Sequence, residues 1–399
     1  MKLKLLKFIE NQGNPSEWGF AEFELQQRNL VVGINASGKS RTIRSIDILA
    51  SLLSKRMSVS VCPTPLKWKA DFQDEQGELF TYELEINNCA VVSERFAKSD
   101  AVLLDRPAGG VATIRMENGG KSVSEIKEFK IPDTEIAAPN KMDLIQTPFL
   151  VPLINWGESV FYYRFGTSLG QEMLGMKGFK QVNIEQIEHD QNSALPKFAI
   201  GMDRFPEQFS SALKNDMGRM GYAIAEANLL SPVHVINPPA SLVSLSVKEV
   251  DLDSPTEQLA MSQGMYRAYS ILIHANYLVL FKKCGCLMID DIGEGLDFGR
   301  SGTLIDLLTE KSIEGGFQLL MTTNDRFIMN HVPLKEWTVI LRSKGRAKIH
   351  NYANSKRHFD EFKFTGMNNF DFLATDFLNE NIDDCISEGI ENEKNGSIC

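Results

Sequence analysis

The sequence lacks any hydrophobic run long enough to cross a membrane. The longest candidate, residues 277–281, stops at two lysines and falls far short of the roughly 20 residues that span a bilayer. The first seven residues carry three lysines, which argues against the apolar core of a secretory leader. We therefore expect a cytoplasmic protein that does not itself cross a membrane.

Cysteine and histidine are scarce and scattered along the chain. There are six of each, with no C-x-x-C pair and no two histidines at metal-ligand spacing, so the sequence offers no thiol or histidine metal motif. Without a leader, the thiols are expected to be reduced and structural. Cys284 and Cys286 fit half a metal site or core packing on a buried strand, and we favour core packing.

The composition fits neither disorder nor a surface coated with positive charge. Hydrophobic residues make up 43% and charged residues 24% of the 399 residues, which is typical of globular domains and excludes rods and disordered chains. The 42 basic residues against 52 acidic ones give a net charge of −10. This balance argues against general nucleic-acid binding and leaves only a local basic stripe open.

The strongest motif is a glycine-rich loop between a strand and a helix. Residues 33–40 read G-I-N-A-S-G-K-S, after an apolar strand at 29–32 and before a predicted amphipathic helix at 42–53. Backbone N–H groups in such a loop, together with the helix dipole, hold phosphates. Lys39 is expected to contact the β- and γ-phosphates of ATP, and Ser40 to bind Mg²⁺. The predicted nucleotide-binding residues are Gly33, Asn35, Ala36, Ser37, Gly38, Lys39, Ser40 and Arg41.

A second motif places two acids at the end of an apolar strand. Residues 287–289 lead into Asp290 and Asp291, which is the Walker B pattern of P-loop ATPases. Asp290 is expected to hold the Mg²⁺ ion, and Asp291 to orient the attacking water. Because aspartate is one methylene shorter than the carboxylate usual at this position, we expect either slow hydrolysis or assistance from Glu294.

A third motif begins a predicted helix upstream of the Walker B strand. It reads Ser262-Gln-Gly-Met-Tyr-Arg267. Serine and glycine cap helices for ordinary reasons, but at a helix N-terminus they also grip phosphate. The position favours the second role, with Ser262, Gly264 and Arg267 as nucleotide-binding residues.

These three motifs in this order resemble the heads of ABC-type ATPases, in which Gly295-Leu296-Asp297 matches the D-loop. The forms of residues 35–40 and 262–267 are similar to SMC, RecF and OLD-like ATPases rather than transporter subunits. The phrase at residues 289–297 is similar to ATPase subunits of prokaryotic antiphage systems of the PARIS and Septu types. The resemblance covers roughly residues 1–60 and 240–330.

The resemblance implies a pairing of two heads. ATP would lie between the glycine-rich loop of one copy and the signature of the other, so that Ser262 contacts the γ-phosphate in trans. Asn324 stands at the switch position, where the family usually has a histidine, and is expected to sense the γ-phosphate. Gln146 is the candidate glutamine-loop ligand of Mg²⁺, with an ordinary surface glutamine as the alternative.

The predicted fold is α/β, a P-loop NTPase of the ABC-ATPase head type with a mixed sheet, an antiparallel β-subdomain and a helical insert. We expect an N-terminal lobe at 1–150 with a β-meander, a helical insert at 151–240, a C-terminal lobe at 241–360, and an extension at 361–399 with an acidic tail.

The expected function is a slow, ATP-driven dimerisation switch in antiphage defence or DNA maintenance. Its expected partners are a second copy, as a head-to-tail dimer or higher oligomer, and a separate effector such as a nuclease or toxin. A non-hydrolysing ATP-bound scaffold is the alternative, and a transporter energy subunit is a weaker one.

One basic stretch stands out near the C-terminal end. Arg342, Lys344, Arg346 and Lys348 alternate along a predicted hairpin, where a shared face would contact nucleic-acid phosphates. A solubilising edge strand is the alternative, and we favour it. Direct nucleic-acid binding is therefore left open.

Overall fold

The computed structural model describes residues 1–118, 121–176, 187–343, 345–375 and 377–378. Its strands are β1 (Lys2–Glu10), β2 (Trp18–Glu24), β3 (Arg28–Val32), β4 (Leu66–Gln73), β5 (Leu79–Asn87), β6 (Ala90–Lys98), β7 (Ala101–Arg106), β8 (Ala112–Asn118), β9 (Lys121–Phe129), β10 (Val160–Arg164), β11 (Gly175–Met176), β12 (Ile224–Leu230), β13 (Leu242–Glu249), β14 (Thr256–Glu257), β15 (Cys286–Asp290), β16 (Gln318–Thr322), β17 (Trp337–Ser343) and β18 (Arg346–Asn351).

The helices pack on both faces of the main sheet. They are α1 (Lys39–Leu53), α2 (Ala137–Lys141), α3 (Val151–Glu158), α4 (Ala194–Arg204), α5 (Pro206–Arg219), α6 (Gln263–Phe281), α7 (Phe298–Gly315), α8 (Arg326–His331), α9 (Lys356–Lys363) and α10 (Asp371–Ala374). No helix within the described residues is both long and apolar enough to cross a membrane.

One large sheet runs through the molecule in the order β10-β15-β16-β3-β17-β18-β2-β1-β4-β5-β6-β7-β8-β9. The first five strands in this order, β10, β15, β16, β3 and β17, are parallel to one another, and β17 pairs with β18 as an antiparallel hairpin. From β1 onward, the pairs of the meander are antiparallel. The mixed α/β fold and the β-meander predicted from the sequence are confirmed.

The parallel half of the sheet is buried on both faces, as crossover helices require. Along β3, Leu30 and Val32 contact one core together with α6 and α7, whereas Val31 contacts the other core together with α1. This alternation follows from the two-residue period of a strand. The glycine-rich loop begins where β3 ends, between the helical layers that cover the two faces of the sheet.

Residues 151–240, expected to form a helical insert, are of mixed structure. The helix α5 is present and buries Phe209, Leu213 and Met217 along one face. However, β10 lies within the main sheet and pairs with β15, and β12 pairs with β13 in a small second sheet. The short apolar run of β10 is followed by a charged residue and a glycine turn, which gave too little periodicity to reveal a strand.

A buried lysine joins the helices of this segment to the main sheet. The Lys197 ammonium is fully buried and donates to the hydroxyl of Tyr163 at 3.1 Å and the carbonyl of Glu188 at 2.6 Å. It also lies 2.9 Å from Nδ1 of His274. Burial lowers the pKa of Lys197 to about 7, against the opposing attraction of nearby acidic groups.

Lys197 should therefore make stability depend on pH. Between pH 7 and its ordinary pKa of 10.5, the unfolded chain binds more protons at this side chain than the folded chain. The free energy of unfolding should then rise with pH across this window, by up to about 1.4 kcal/mol per pH unit. Denaturant unfolding at pH 7.5 and 9.0 measures the slope in the parent and in Lys197→Met. Equal slopes in the two proteins would contradict the assignment.

The extension after the last strand packs onto the C-terminal lobe in its described part. Phe359 and Phe362 of α9 contact Phe372 of α10, with ring centroids 4.7 Å and 5.0 Å apart. All three rings are buried. The expected acidic tail, from residue 379 onward, lies outside the described residues.

Candidate functional site

The glycine-rich loop leaves β3 and enters α1 with two residues in the left-handed region. Ala36 has φ 62° and Gly38 has φ 112°. A Cβ at Gly38 would lie 2.6 Å from the Trp18 ring, so only glycine fits there. Asn35 and Ala36 are exposed, whereas Ser37 is buried. The loop therefore presents its backbone to solvent at the N-terminus of α1, where N–H groups attract anions.

Lys39 is held across the loop by backbone carbonyls. Its ammonium donates to Gly33 at 2.8 Å and to Ile34 at 3.2 Å, and the residue is 6% exposed. Burial lowers the pKa of Lys39, and the negative charges of Asp291 and Asp290 oppose this shift. The structure therefore brings the lysine of the loop close to both acids of the Walker B strand.

Hydroxyl groups surround the carboxylate of Asp290. The Ser40 hydroxyl lies 3.1 Å from Oδ1 and the Tyr162 hydroxyl donates to Oδ2 at 3.2 Å. Thr322 donates to Oδ1 as well, and its oxygen accepts from the backbone N–H of Asp291 at 2.8 Å. A hydroxyl beside a carboxylate suits Mg²⁺, which keeps several waters and takes few protein ligands. Ser40 and Asp290 would hold the ion, while Tyr162 and Thr322 orient Asp290.

Tyr162 and Thr322 are functional candidates that sequence reasoning missed. Both lie on strands flanking β15: Tyr162 is in register with Met288, and Thr322 ends β16. Thr322 could have been found from the sequence, because it lies directly before the switch loop. No sequence pattern identifies Tyr162, because only the order of strands in the sheet places it beside Asp290.

The three predicted catalytic residues line one cavity of about 340 Å³. Asp291 has φ 55°, which turns the chain sharply after the strand. Its pKa is raised, first by burial and then by the charges of Asp290 and Glu294, with Lys39 opposing. Glu294 packs against Gly166, where a side chain would clash with its carboxylate. The exposed Asn324 completes the wall after β16.

The signature motif contacts the D-loop of its own chain. Ser262 is exposed and caps α6 by accepting from the Met265 N–H at 3.2 Å. Gly264 is buried, and a Cβ there would lie 2.6 Å from the Gly295 carbonyl oxygen. Gly264 is therefore needed for a close approach of two backbones.

Arg267, predicted to bind nucleotide, is occupied by backbone carbonyls instead. Its guanidinium donates to Thr167 at 2.8 Å, Gly166 at 3.0 Å and Glu294 at 3.1 Å. The residue is 8% exposed. Arg267 thus ties the signature helix to the loops after β10 and β15, and acts as a positioning residue.

Gln146 does not join the site. Its carbonyl accepts from the N–H of Glu117 on β8 at 2.8 Å, and its own N–H donates to Asp143 at 2.7 Å. The residue is exposed beside the meander, so the surface-glutamine alternative describes it. The turn after α2 folds back on β8, and the second oxygen of Asp290 bonds Tyr162 rather than Gln146.

The basic hairpin does not present one charged face. Arg342 lies opposite Ala347, and Leu341 lies opposite Lys348. Because opposed residues of an antiparallel pair share a face, Arg342 and Lys348 point to opposite sides. The prediction of one charged face required a pairing of β17 with β18 that the hairpin does not have. Lys344 lies outside the described residues.

Two arginines lie beside the glycine-rich loop. Arg342 donates to the Ala36 carbonyl at 3.1 Å. Arg41 lies over the Trp18 ring at 5.0 Å and pairs with Glu10 at 2.5 Å. Both guanidinium groups add positive charge next to the loop that would hold phosphates.

Solved structures of SMC heads share the fold of this chain. An SMC head bound to the C-terminal winged-helix domain of ScpA matches with a TM-score of 0.50 and 14% identity, over 88% of this chain and 97% of that one. An SMC head with an extended coiled coil, bound to the C-terminal domain of ScpA derived from Pyrococcus furiosus, matches with a TM-score of 0.50 and 12% identity, over 91% and 99%. The sequence matches no protein-family model and no curated protein.

The chain therefore has the mixed α/β fold of SMC heads, which is the ABC-ATPase head fold. The resemblance read from the three motifs is confirmed at the level of the fold.

Proposed function

We propose that this protein is an ATPase that dimerises when it binds ATP. The observation that carries the proposal is that one chain brings together only part of the nucleotide site. The loop and the Walker B acids meet within one chain through Lys39, Ser40 and Asp290. The signature serine, Ser262, is exposed and, among the described residues, makes no hydrogen bond to the loop. A second copy, packed head to tail, would supply it.

The residues suit a slow hydrolysis reaction. Backbone N–H groups of the loop and the ammonium of Lys39 would hold the phosphates, and Ser40 with Asp290 would hold Mg²⁺, which would supply positive charge beside them. Asp291 accepts a hydrogen bond from the attacking water and orients it. Asn324 donates to the γ-phosphate or that water but cannot take up a proton.

Sedimentation of the purified chain with and without MgATP tests the proposal. We expect a monomer without nucleotide and a dimer with it. Ser262→Arg should still bind ATP but stay monomeric, because the larger side chain would stand where the partner's phosphate lies. Ser99→Arg, in an exposed turn of the meander, is the matched control and should dimerise like the parent. A dimer that both variants form equally would contradict the head-to-tail arrangement.

The finer assignment is a switch that controls a separate effector, such as a nuclease or toxin, in antiphage defence or DNA maintenance within the cytoplasm. The likeness of residues 289–297 to antiphage ATPases supports it. Co-purification of the native protein with an effector whose activity changes on MgATP addition would test it.

A non-hydrolysing scaffold is the second candidate. It is favoured because Asp291 is shorter than the carboxylate usual at its position in ABC-type ATPases, and because Asn324 replaces the usual histidine. Release of phosphate from MgATP separates the two functions. A dimer that forms with ATP but releases no phosphate, with or without DNA, would support the scaffold.

Tyr162 should support the metal site in place of the glutamine expected at residue 146. Tyr162→Phe removes only the hydroxyl that bonds Asp290. We expect the Mg²⁺ concentration for half-maximal ATP hydrolysis to rise roughly tenfold, as for other residues that orient a metal ligand. Gln146→Ala should leave it unchanged. A Mg²⁺ titration of both variants distinguishes the two residues. A larger rise for Gln146→Ala than for Tyr162→Phe would assign the support of the metal site to Gln146.

A further inference from the structure

Tyr162 also lines a second cavity, of about 450 Å³. Three arginines project around it, Arg44, Arg56 and Arg164, together with polar side chains of residues 189–192. The only described carboxylates on its wall are Asp47 and Asp190. A cavity of this size suits a small ligand, and its excess of guanidinium groups favours an anion.

Two of the three arginines are free to bind a ligand. Arg44 and Arg164 are exposed, and their guanidinium groups make no hydrogen bond or ion pair to any side chain in the described part of the chain. Arg56, in contrast, is anchored by the Gly157 carbonyl at 3.1 Å and the Ser54 hydroxyl at 2.8 Å. The cavity thus combines one fixed guanidinium with two that have all their donors available.

The two carboxylates offset only part of the charge of the three arginines, so one guanidinium remains in excess on the wall. Burial raises the pKa of Asp47, and the charges of Arg56 and Arg44 oppose this shift. Asp190 is engaged by the N–H of Asn192, which donates to Oδ1 at 2.9 Å. Guanidinium forks match the oxygen pairs of phosphate groups, so a phosphate is the anion that this wall fits best.

The cavity adjoins the metal site but is built from different residues. Arg44 lies one helical turn after Ser40 on α1, and Arg164 lies opposite Asp290 in the register of β10 and β15. None of the residues of the glycine-rich loop lines the cavity. A ligand here would therefore be distinct from the nucleotide held by that loop.

We propose that this cavity binds a small phosphomonoester through Arg44 and Arg164, separately from ATP. The hydroxyl of Tyr162 connects its wall to Asp290, so an occupied cavity is placed to alter the orientation of the metal ligand. That consequence rests on the proposed ATPase function, whereas binding of the ligand does not.

Calorimetric titration with ribose 5-phosphate and, separately, with orthophosphate tests the site without any ATPase assay. We expect Arg44→Ala/Arg164→Ala to weaken binding of ribose 5-phosphate about tenfold or more, the usual effect of losing charged hydrogen bonds. Arg95→Ala, at an exposed arginine of the meander that does not line the cavity, should bind like the parent. Equal loss of orthophosphate binding would show that the phosphate alone is recognised, and binding of ribose 5-phosphate only would show that the sugar is needed.

Lys39→Ala distinguishes this site from the glycine-rich loop. It should keep its affinity for ribose 5-phosphate within about twofold, since Lys39 is not part of the cavity. Loss of binding in Lys39→Ala with retention in the double variant would overturn the proposal, as would no binding of either probe to the parent. A single-stranded oligonucleotide that binds through Arg44 and Arg164 when neither probe does would also overturn it, and would assign the cavity to nucleic acid.

Discussion

Lys39→Ala is expected to lower the affinity for MgATP by about a hundredfold or more. The ammonium is already desolvated and held at the mouth of the loop by the carbonyls of Gly33 and Ile34. It therefore gives up little hydration when a triphosphate arrives. Charged hydrogen bonds of about 1.5–3 kcal/mol each account for an effect of this size. Calorimetry or a fluorescent ATP analogue measures it directly.

Lys55→Ala is the matched control for this experiment. Lys55 follows α1, is exposed and lies outside the loop, so its removal should leave ATP affinity unchanged. Denaturant unfolding of both variants is measured alongside, because Lys39→Ala also loses the hydrogen bonds to Gly33 and Ile34, whereas Lys55→Ala should unfold like the parent. A Lys39→Ala protein that binds MgATP as the parent does would remove the basis of the proposed function.

The contiguous motifs were readable from the sequence because their chemistry lies in neighbouring residues. The loop at residues 33–40 fixes its own geometry through Gly38 and the start of α1. The apolar strand that ends in Asp290 can likewise be recognised from its own consecutive residues. Tyr162, in contrast, is 128 residues from Asp290. It meets Asp290 only because β10 occupies the edge beside β15, and no local pattern encodes that neighbour.

The errors in the sequence analysis have the same origin. Gln146 had a suitable residue type in a suitable part of the chain, but the turn after α2 bonds to β8 and carries it elsewhere. The basic hairpin had the right alternation, but a register of Arg342 opposite Ala347 divides its charges between two faces. In both cases pairing between distant segments, which the sequence does not state, decided where a side chain lies.

Asp291→Asn is expected to reduce ATP turnover by about a hundred- to a thousandfold while leaving ATP affinity nearly unchanged. A base that positions and activates water contributes an effect of this order, and asparagine keeps the size of the side chain but loses its charge. Glu294→Gln should cost at most about tenfold, because its carboxylate packs against Gly166 and its expected role is only to assist. Single-turnover phosphate release in the two variants measures the difference.

The pH profile of the parent provides an independent measure of the same role. The pKa of Asp291 is raised by burial and by the neighbouring charges of Asp290 and Glu294. The carboxylate must be ionised to accept a hydrogen bond from water, so turnover should fall on acidification at a higher pH than an ordinary aspartate would give. Asp291→Asn should abolish this acidic limb, whereas Glu294→Gln should shift it towards lower pH, because one repelling charge is lost. If Glu294→Gln instead carried the large loss of turnover, Glu294 would be the base and Asp291 the supporting charge.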